Sequence, residues 1–199
     1  MADWVGYYAA LDGRPPRPLL ERALAATAGP GTALDIGFGD GTETVALLAA
    51  GWWVQAIDPE PAAADRLKAR LAAAGVDGDS ALTLVSGPVE DVRLQRADLA
   101  YAGYSLPFVA PAAFDAVWSG LRAALRPGGV LAVNLFGPHD SWAADPTMTF
   151  HDRTAVGRLV AGLDVLELGE IDEAGEAVSG PKHWHVFEVL ARRPDPDAA

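Results

Sequence analysis

Three glycines at alternate positions follow a short apolar run in the segment ALDIGFGDGTETVALLAAG, residues 33–51. Gly37, Gly39 and Gly41 carry no side chain beyond hydrogen, so a ligand can approach the main chain closely there. The apolar run before them predicts a buried strand, and the segment after them predicts a helix that ends at Gly51. A glycine loop between a strand and a helix is typical of a nucleotide site in an open α/β sheet.

An acidic residue stands at the position where a nucleoside site needs one. Asp58 closes the next predicted strand, WWVQAID (52–58), 21 residues after Gly37. A carboxylate there can accept hydrogen bonds from both hydroxyls of an adenosine ribose, and it disfavours a 2′-phosphate. The dinucleotide pattern G-x-G-x-x-G requires glycine where this chain has Thr42, which disfavours a dehydrogenase. The combination therefore predicts a nucleoside site rather than a simple turn.

Helical and strand patterns alternate along the rest of the chain, which predicts a single domain over residues 1–199. The short connection between the last two strands leaves no room for a crossover helix, so this pair should be antiparallel. The pattern predicts an α/β fold, a three-layer Rossmann-like and mostly parallel seven-stranded sheet with a C-terminal antiparallel hairpin. Residues 1–30 are predicted to be a lid segment followed by one helix, and 194–199 a flexible tail. The strands are expected at 33–37, 52–58, 81–87, 97–103, 130–137, 164–171 and 183–191, and the later helices at 42–51, 59–75, 111–129 and 152–163.

Composition limits the partners that this chain is expected to have. The formal net charge of −12 disfavours the phosphate backbone of nucleic acids and favours a small neutral or cationic molecule. The absence of cysteine excludes disulfides, thiolate catalysis and cysteine-based zinc sites. No segment approaches the roughly 20 apolar residues of a membrane span, and the start MADWVGYY does not resemble a secretory signal. We therefore expect a cytoplasmic protein, either a monomer or a homodimer, with no membrane partner.

Five segments within residues 33–137 carry a resemblance to a known family. They read LDIGFGDGTET, AIDPEP, GPVED, ADLAYAGYSLPF and ALRPGGVLAVNLFG. In order and spacing they resemble the motifs of class I S-adenosylmethionine-dependent methyltransferases, and the terminal hairpin matches the reversed seventh strand of that family. More narrowly, the YY…RPLL start and the ending KHWHVFEVLARR are similar to small bacterial members related to the tellurite-resistance type.

The resemblance implies S-adenosylmethionine as the cofactor and assigns it residues. Asp35, an acid inside an apolar strand and thus costly to bury without a role, would lie near the methionine ammonium. Asp58 would bind the ribose. An N-terminal lid implies Tyr8 over the sulfonium and Arg17 on the methionine carboxylate, although both tyrosines of the lid can instead pack the first helix. The remaining expected cofactor contacts are Pro59, Val89, Glu90, Tyr101 and Gly103.

The acceptor is expected at the same sheet edge, where several polar and aromatic side chains follow strand ends. If a general base is used, we expect His139, with Tyr104 orienting the acceptor. The other expected acceptor contacts are Tyr7, Asp140, Trp142, His183 and His185. His183 and His185 share one strand face and can instead be hydrogen-bonded packing residues. Together with His139 they could also form a metal site, because alternate side chains of a strand point the same way, but no acid pattern supports it and none is predicted.

These assignments favour methyl transfer to a small-molecule acceptor by in-line displacement. An enzyme of the same fold that cyclises or cleaves S-adenosylmethionine, and releases methylthioadenosine, would require the same site. A non-catalytic nucleoside-binding module is a third hypothesis.

Overall fold

The computed structural model describes residues 6, 11, 13–78 and 80–197 of the chain. The strands are β1 (Thr32–Ile36), β2 (Trp53–Asp58), β3 (Leu82–Ser86), β4 (Ala97–Ala102), β5 (Leu125–Phe136), β6 (Asp164–Ala177) and β7 (Gly180–Arg192). The helices are α1 (Pro18–Ala26), α2 (Thr42–Ala49), α3 (Ala63–Ala74), α4 (Pro111–Ala124) and α5 (Arg153–Leu159). None of the helices in these described parts is long and apolar enough to cross a membrane.

The strands form one sheet in the order β3-β2-β1-β4-β5-β7-β6. The first five strands pair in parallel, and β7 runs antiparallel to both β5 and β6. The predicted fold and its antiparallel terminal hairpin are therefore confirmed. The strand order reverses between β1 and β4, and in such sheets ligands bind beyond the carboxyl ends of the strands at the reversal point.

Both faces of the sheet are covered, which is why its central strands are apolar on both sides. Leu34 and Ile36 of β1 pack into a cluster with Trp118 and Leu121 of α4. Ala33, the neighbour of Leu34, packs into a second cluster on the other face with residues of α1, α2 and α3, namely Leu20, Leu47 and Leu67. The sheet and its two helical layers thus form a rigid support for the loops at its carboxyl edge.

The predicted helix over 111–129 is too long by five residues, because α4 ends at Ala124 and a strand follows at once. Leu125 has an extended backbone, with φ −57° and ψ 137°, and pairs with Ala97 of β4. Pro127 disfavours the helical conformation of the residue before it. The Pro-Gly-Gly segment therefore lies inside β5 rather than at the end of a helix.

The terminal strands are longer than predicted. Only Val178 and Ser179 separate β6 from β7, so the polar segment expected as a loop is part of the hairpin. The extension pairs Asp172 with His185 and Ala174 with His183. This register places acidic residues of β6 beside the histidines of β7.

A pair of glycines tests how tightly the glycine loop is packed. Gly37 and Gly75 have similar left-handed φ values, 69° and 64°, but only Gly37 is crowded. A Cβ on Gly37 would lie 2.3 Å from the Cβ of Ser105, whereas one on Gly75 would meet nothing within 4 Å. We expect Gly75→Ala to lower the free energy of unfolding by about 1–2 kcal/mol through backbone strain, and Gly37→Ala by roughly 1–3 kcal/mol more through overpacking. Urea denaturation measures both, and equal losses would refute the close packing.

Candidate active site

The glycine loop joins the carboxyl ends of three strands. The Gly37 backbone N–H donates to the Ile57 carbonyl at the end of β2, at 2.7 Å. The Ser105 hydroxyl, just after β4, donates to the Ile36 carbonyl at the end of β1. Gly37, Gly39 and Gly41 all have positive φ, so an L side chain at any of them would be strained. The loop is therefore held open at the reversal point of the strand order.

Asp58 holds this loop in place from beneath. Its side chain is 2% exposed, and its two oxygens accept the backbone N–H groups of Gly39 and Glu60, each at 2.8 Å. Burial raises the pKa of Asp58, and the two N–H groups oppose that rise. A carboxylate offers about four lone-pair positions, so two remain for ribose hydroxyls. The predicted contact with a ribose stays a prediction.

Asp35 lies in β1 with 1% exposure and accepts the Thr44 hydroxyl at 2.6 Å. Burial, with a smaller contribution from the nearby carboxylates and against the opposing effect of Thr44, raises the pKa of its carboxyl group from 3.8 to about 8. Asp35 is therefore mostly protonated at neutral pH as long as no cation lies beside it. A bound cation would favour the ionised form.

An arginine that was not predicted covers the acidic groups at the start of α2. The Arg14 guanidinium lies 2.6 Å from both carboxylate oxygens of Glu43 and 2.8 Å from Asp40. Burial alone would lower the pKa of Arg14, but the two carboxylates raise it overall. The available sequence signals were the two acids in and after the glycine loop and the basic turn RPPRP, which are far apart along the chain.

The chain that leads into α1 also contacts the site through Arg17. Its guanidinium carbon lies 4.7 Å from the centre of the Tyr104 ring, and its backbone N–H donates to Glu43 at 3.1 Å. Tyr104 has φ 61°, an uncommon value for a residue with a side chain. The lid residues Tyr7 and Tyr8 lie outside the described residues. The predicted role of Arg17 toward a carboxylate of the cofactor stays a prediction.

Tyr101 presents a buried hydroxyl that lacks a hydrogen-bond partner among the described residues. Its side chain is 2% exposed, and burial raises the pKa of the phenol, with Glu43 and Asp35 adding to the rise. A Cβ on Gly103 would lie 2.5 Å from this hydroxyl, so glycine is required beside it. An unpartnered buried hydroxyl costs stability, and a bound ligand can satisfy it.

The residues expected around an adenine lie beyond the ends of β2 and β3. Pro59 directly follows β2, and Val89 and Glu90 form a short 3₁₀ turn after β3. Val89 is buried, whereas Pro59 and Glu90 are exposed. Their positions are compatible with the two edges of a flat ring, and that contact stays a prediction.

Beyond Tyr104, aromatic side chains form what we call the aromatic cluster, made of Tyr104, Phe136, Trp142 and Trp184. Tyr104 and Trp142 each lie 6.0 Å from Trp184 between ring centres. All but Phe136 are partly exposed. The rings meet at steep angles, 78° between Tyr104 and Trp184 and 61° between Trp142 and Trp184, so the cluster forms an angular apolar lining.

A buried ion pair supports the aromatic cluster. The Lys182 ammonium lies 3.9 Å from the Trp184 ring centre and 4.1 Å from that of Trp142, and it pairs with Asp140. Burial lowers the pKa of Lys182, and Asp140 opposes this shift. Asp140 also accepts the backbone N–H groups of Trp142 and His185. Asp140 is buried and held by these internal partners, and its predicted contact with the acceptor stays a prediction.

Three histidines converge as expected, but not beside Tyr104. The His139 Nδ1 atom lies 2.8 Å from Asp172, and the His183 Nε2 atom 2.7 Å from the other oxygen of the same carboxylate. These contacts lower the pKa of Asp172 to about 2. The His185 Nε2 atom lies 3.1 Å from Glu170.

The predicted roles of His139 and Tyr104 toward one acceptor stay predictions, and the structure places the two side chains near different faces of β7. Successive residues of a strand point to opposite faces. Trp184 and His185 therefore lie on opposite faces of β7. Trp184 contacts Tyr104, whereas His185 stacks on His139 with 4.7 Å between ring centres. The strand separates the two groups, and the histidine group has acidic partners that the sequence alone does not pair with it.

The protonation of Asp35 predicts a pH dependence of stability. The folded chain keeps this proton up to about pH 8, whereas the unfolded chain releases it near the ordinary pKa of 3.8. Folding thus binds a proton between these values, so the free energy of unfolding falls as pH rises across them, by at most about 1.4 kcal/mol per pH unit. Asp35→Asn keeps the acceptor for Thr44 and lacks this slope.

Urea denaturation of both proteins across that pH window measures the effect. We expect the stability of Asp35→Asn relative to the wild type to increase with pH. A difference that does not change with pH would show that Asp35 is ionised in the folded chain.

Comparison with known proteins agrees with this geometry. Residues 34–131 match the family described as "Methyltransferase domain". Among curated proteins, none matches this sequence.

Three solved structures share the fold at low sequence identity. TehB from Haemophilus influenzae is 14% identical, with a TM-score of 0.76. The match covers 96% of this chain and 67% of the TehB chain. NodS, an N-methyltransferase from Bradyrhizobium japonicum WM9 in complex with S-adenosylhomocysteine, is 17% identical with a TM-score of 0.72, covering 96% and 97%.

The third is 1,6-didemethyltoxoflavin-N1-methyltransferase from Burkholderia thailandensis, with bound 1,6-didemethyltoxoflavin and S-adenosylhomocysteine. It is 21% identical with a TM-score of 0.68, covering 97% of this chain and 86% of its own. The resemblance seen in the sequence motifs is thereby confirmed. Residues 34–131 match a methyltransferase domain, and the chain has the fold of class I S-adenosylmethionine-dependent methyltransferases.

Proposed function

We propose that this protein transfers the methyl group of S-adenosylmethionine to a small-molecule acceptor. The observation that carries the proposal is the bare glycine loop with two buried carboxylates beneath it, Asp35 and Asp58, inside the matched methyltransferase domain. The loop lets the nucleoside approach the main chain, Asp58 accepts the ribose hydroxyls, and Asp35 faces the amino-acid end.

The charge of the site favours a cationic ligand. Four acidic side chains are buried around the glycine loop and the start of α2. Arg14 pairs with two of them, and Asp35 is ionised at neutral pH only when a cation lies beside it. S-adenosylmethionine carries an ammonium and a sulfonium and has no pyrophosphate. Buried carboxylates would repel a pyrophosphate, so the same residues disfavour a dinucleotide. The four acids are Asp35, Asp40, Glu43 and Asp58.

Positioning is the main catalytic task of this chain. When bound, the cofactor supplies a methyl group that the positive sulfur has already activated. Correct alignment of an acceptor can then contribute about 7–11 kcal/mol without a general base. Tyr104 belongs to the aromatic cluster and directly precedes Ser105, which bonds to the end of β1 below the glycine loop. We therefore infer that Tyr104 borders the transferred methyl group. The partly exposed rings of Trp142 and Trp184 provide the surface on which an acceptor would stack.

The arrangement of these side chains favours an acceptor atom that reacts without a general base. The candidate base His139 lies with His185 on the other face of β7 from Tyr104. Within the described part of the chain, the cations seen against the aromatic cluster are Lys182, paired with Asp140, and Arg17, over Tyr104. We therefore infer an acceptor atom that is nucleophilic as a neutral group or is already anionic at neutral pH.

Product analysis separates this function from its alternatives. The protein is incubated with S-adenosylmethionine, alone and with a small-molecule extract, and the nucleosides formed are identified by mass. S-adenosylhomocysteine that appears only with extract is the expected result. Methylthioadenosine formed without an acceptor would instead establish cyclisation or cleavage of the cofactor. Saturable binding without any product would leave a nucleoside-binding module.

Replacing Asp58 tests the nucleoside contact. We expect Asp58→Asn to weaken the binding of S-adenosylhomocysteine by about 1.5–3 kcal/mol, because charged hydrogen bonds to the ribose are lost. Calorimetry measures the affinity, and thermal unfolding confirms that the variant is folded. Asp65→Asn is the matched control, since Asp65 is an exposed acid on α3. Equal affinity of the two variants would place the nucleoside elsewhere.

Removal of the Tyr101 hydroxyl should have opposite effects on stability and on binding. Tyr101→Phe deletes a buried hydroxyl without a partner in the described chain, so we expect the ligand-free protein to gain roughly 1 kcal/mol in free energy of unfolding. The cofactor should bind about 1 kcal/mol more weakly, because it loses the same hydrogen bond. Unchanged affinity would mean that Tyr101 does not contact the ligand.

A further inference from the structure

Three of the four histidines of the chain gather with two acids at the junction of β5, β6 and β7. We call this group the histidine–carboxylate cluster; its members are His139, Glu170, Asp172, His183 and His185. The stacked rings of His139 and His185 lie on the face of β7 opposite the aromatic cluster, so the group is not part of the proposed methyl-transfer site.

We propose that this cluster binds one divalent transition-metal ion of the Zn²⁺ type through His139, His185 and Asp172. One ligand atom of each of these side chains lies within 4.8 Å of the others. Ligands at about 2.0–2.2 Å from a shared zinc ion lie somewhat closer together than that. Small rotations of the side chains therefore bring them to bonding distance.

The backbone brings the three ligands together from different parts of the chain. Asp172 and His185 are direct partners in the β6–β7 ladder, and His139 follows the end of β5. The His185 ring lies flat against Gly137, where a Cβ would be 2.3 Å from the ring. His139 has 65% of its side chain exposed, so it can turn toward an ion that arrives from solvent.

Further side chains orient the carboxylates, as is usual around metal ligands. His183 holds the Asp172 oxygen that does not face His139, at 2.7 Å. Arg153 of α5 holds Glu170 at 2.5 Å, and the other oxygen of Glu170 faces His185. Glu170 thus orients His185 and lies outside the three residues whose ligand atoms are within 4.8 Å of one another.

Binding requires a defined change of hydrogen bonds. The backbone N–H of His139 donates to Nδ1 of His185, so the ring proton of His185 lies on Nε2, toward Glu170. When an ion binds Nε2, that proton moves to Nδ1 and the His139 N–H turns to water. His139 is at the surface, where water can take up the released bond.

The ligand chemistry selects the class of ion. Imidazole nitrogens with one or two carboxylates suit borderline ions such as Zn²⁺, Co²⁺ and Ni²⁺. Mg²⁺ prefers oxygen ligands and retains water. The ion would join the loop after β5 to the terminal hairpin, directly beside Asp140 and its ion pair with Lys182.

Calorimetric titration of the tag-free protein with Zn²⁺ tests this proposal. The wild type should bind one ion saturably, and its melting temperature should rise with Zn²⁺. Asp172→Asn and His139→Ala should each weaken binding at least tenfold, and His183→Asn by about tenfold through loss of orientation. Glu173→Gln is the matched control, since it removes the same charge from the neighbouring position of β6 and should bind as the wild type does.

Three results would overturn the proposal. The first is the absence of saturable Zn²⁺ binding up to about 1 mM, the weakest affinity of interest. The second is undiminished Zn²⁺ binding by the folded His139→Ala variant. The third is Mg²⁺ binding as tight as that of Zn²⁺. Because these readouts involve neither methyl transfer nor its cofactor, they are independent of the proposed function.

Discussion

The burial of carboxylates beneath a bare glycine loop is the constraint on which the rest of the site depends. Asp58 ties the loop to the end of β2 through the Gly39 N–H, and Asp35 occupies the adjacent strand. Burying such groups destabilises the folded chain unless they are hydrogen-bonded or meet a cation. Thr44, Arg14 and backbone N–H groups supply part of this compensation. The buried acidic groups that these contacts compensate only in part are suited to binding a positively charged nucleoside.

The parallel sheet explains why this chemistry collects at one edge. The crowding of Gly37 against Ser105 joins the ends of β1 and β4, where the strand order reverses. Tyr104, the residue before Ser105, is itself part of the aromatic cluster. The proposed cofactor surface and the proposed acceptor surface are therefore linked by two consecutive residues, which is the proximity that an in-line transfer requires.

The features that the sequence predicts well are those set by neighbouring residues along the chain. Alternating strand and helix patterns determine the layered fold, and the position of Asp58 after an apolar strand follows from spacing alone. The clamp of Arg14 on Glu43 depends on how the entry to α1 crosses the sheet edge, which no short-range pattern records. The meeting of Asp172 with His185 depends on the register of a hairpin whose strands are longer than their apolar segments indicate. Likewise, alternation along β7 separates His139 from Tyr104, although both follow strand ends at the same edge.

A crystal structure of the protein with S-adenosylhomocysteine is the most direct test of the central claim. The account predicts the nucleoside over the glycine loop, with its ribose hydroxyls within hydrogen-bond distance of Asp58 and its amino-acid end toward Asp35 and Tyr101. A nucleoside bound elsewhere, with Asp58 still contacted only by its own backbone neighbours, would contradict it.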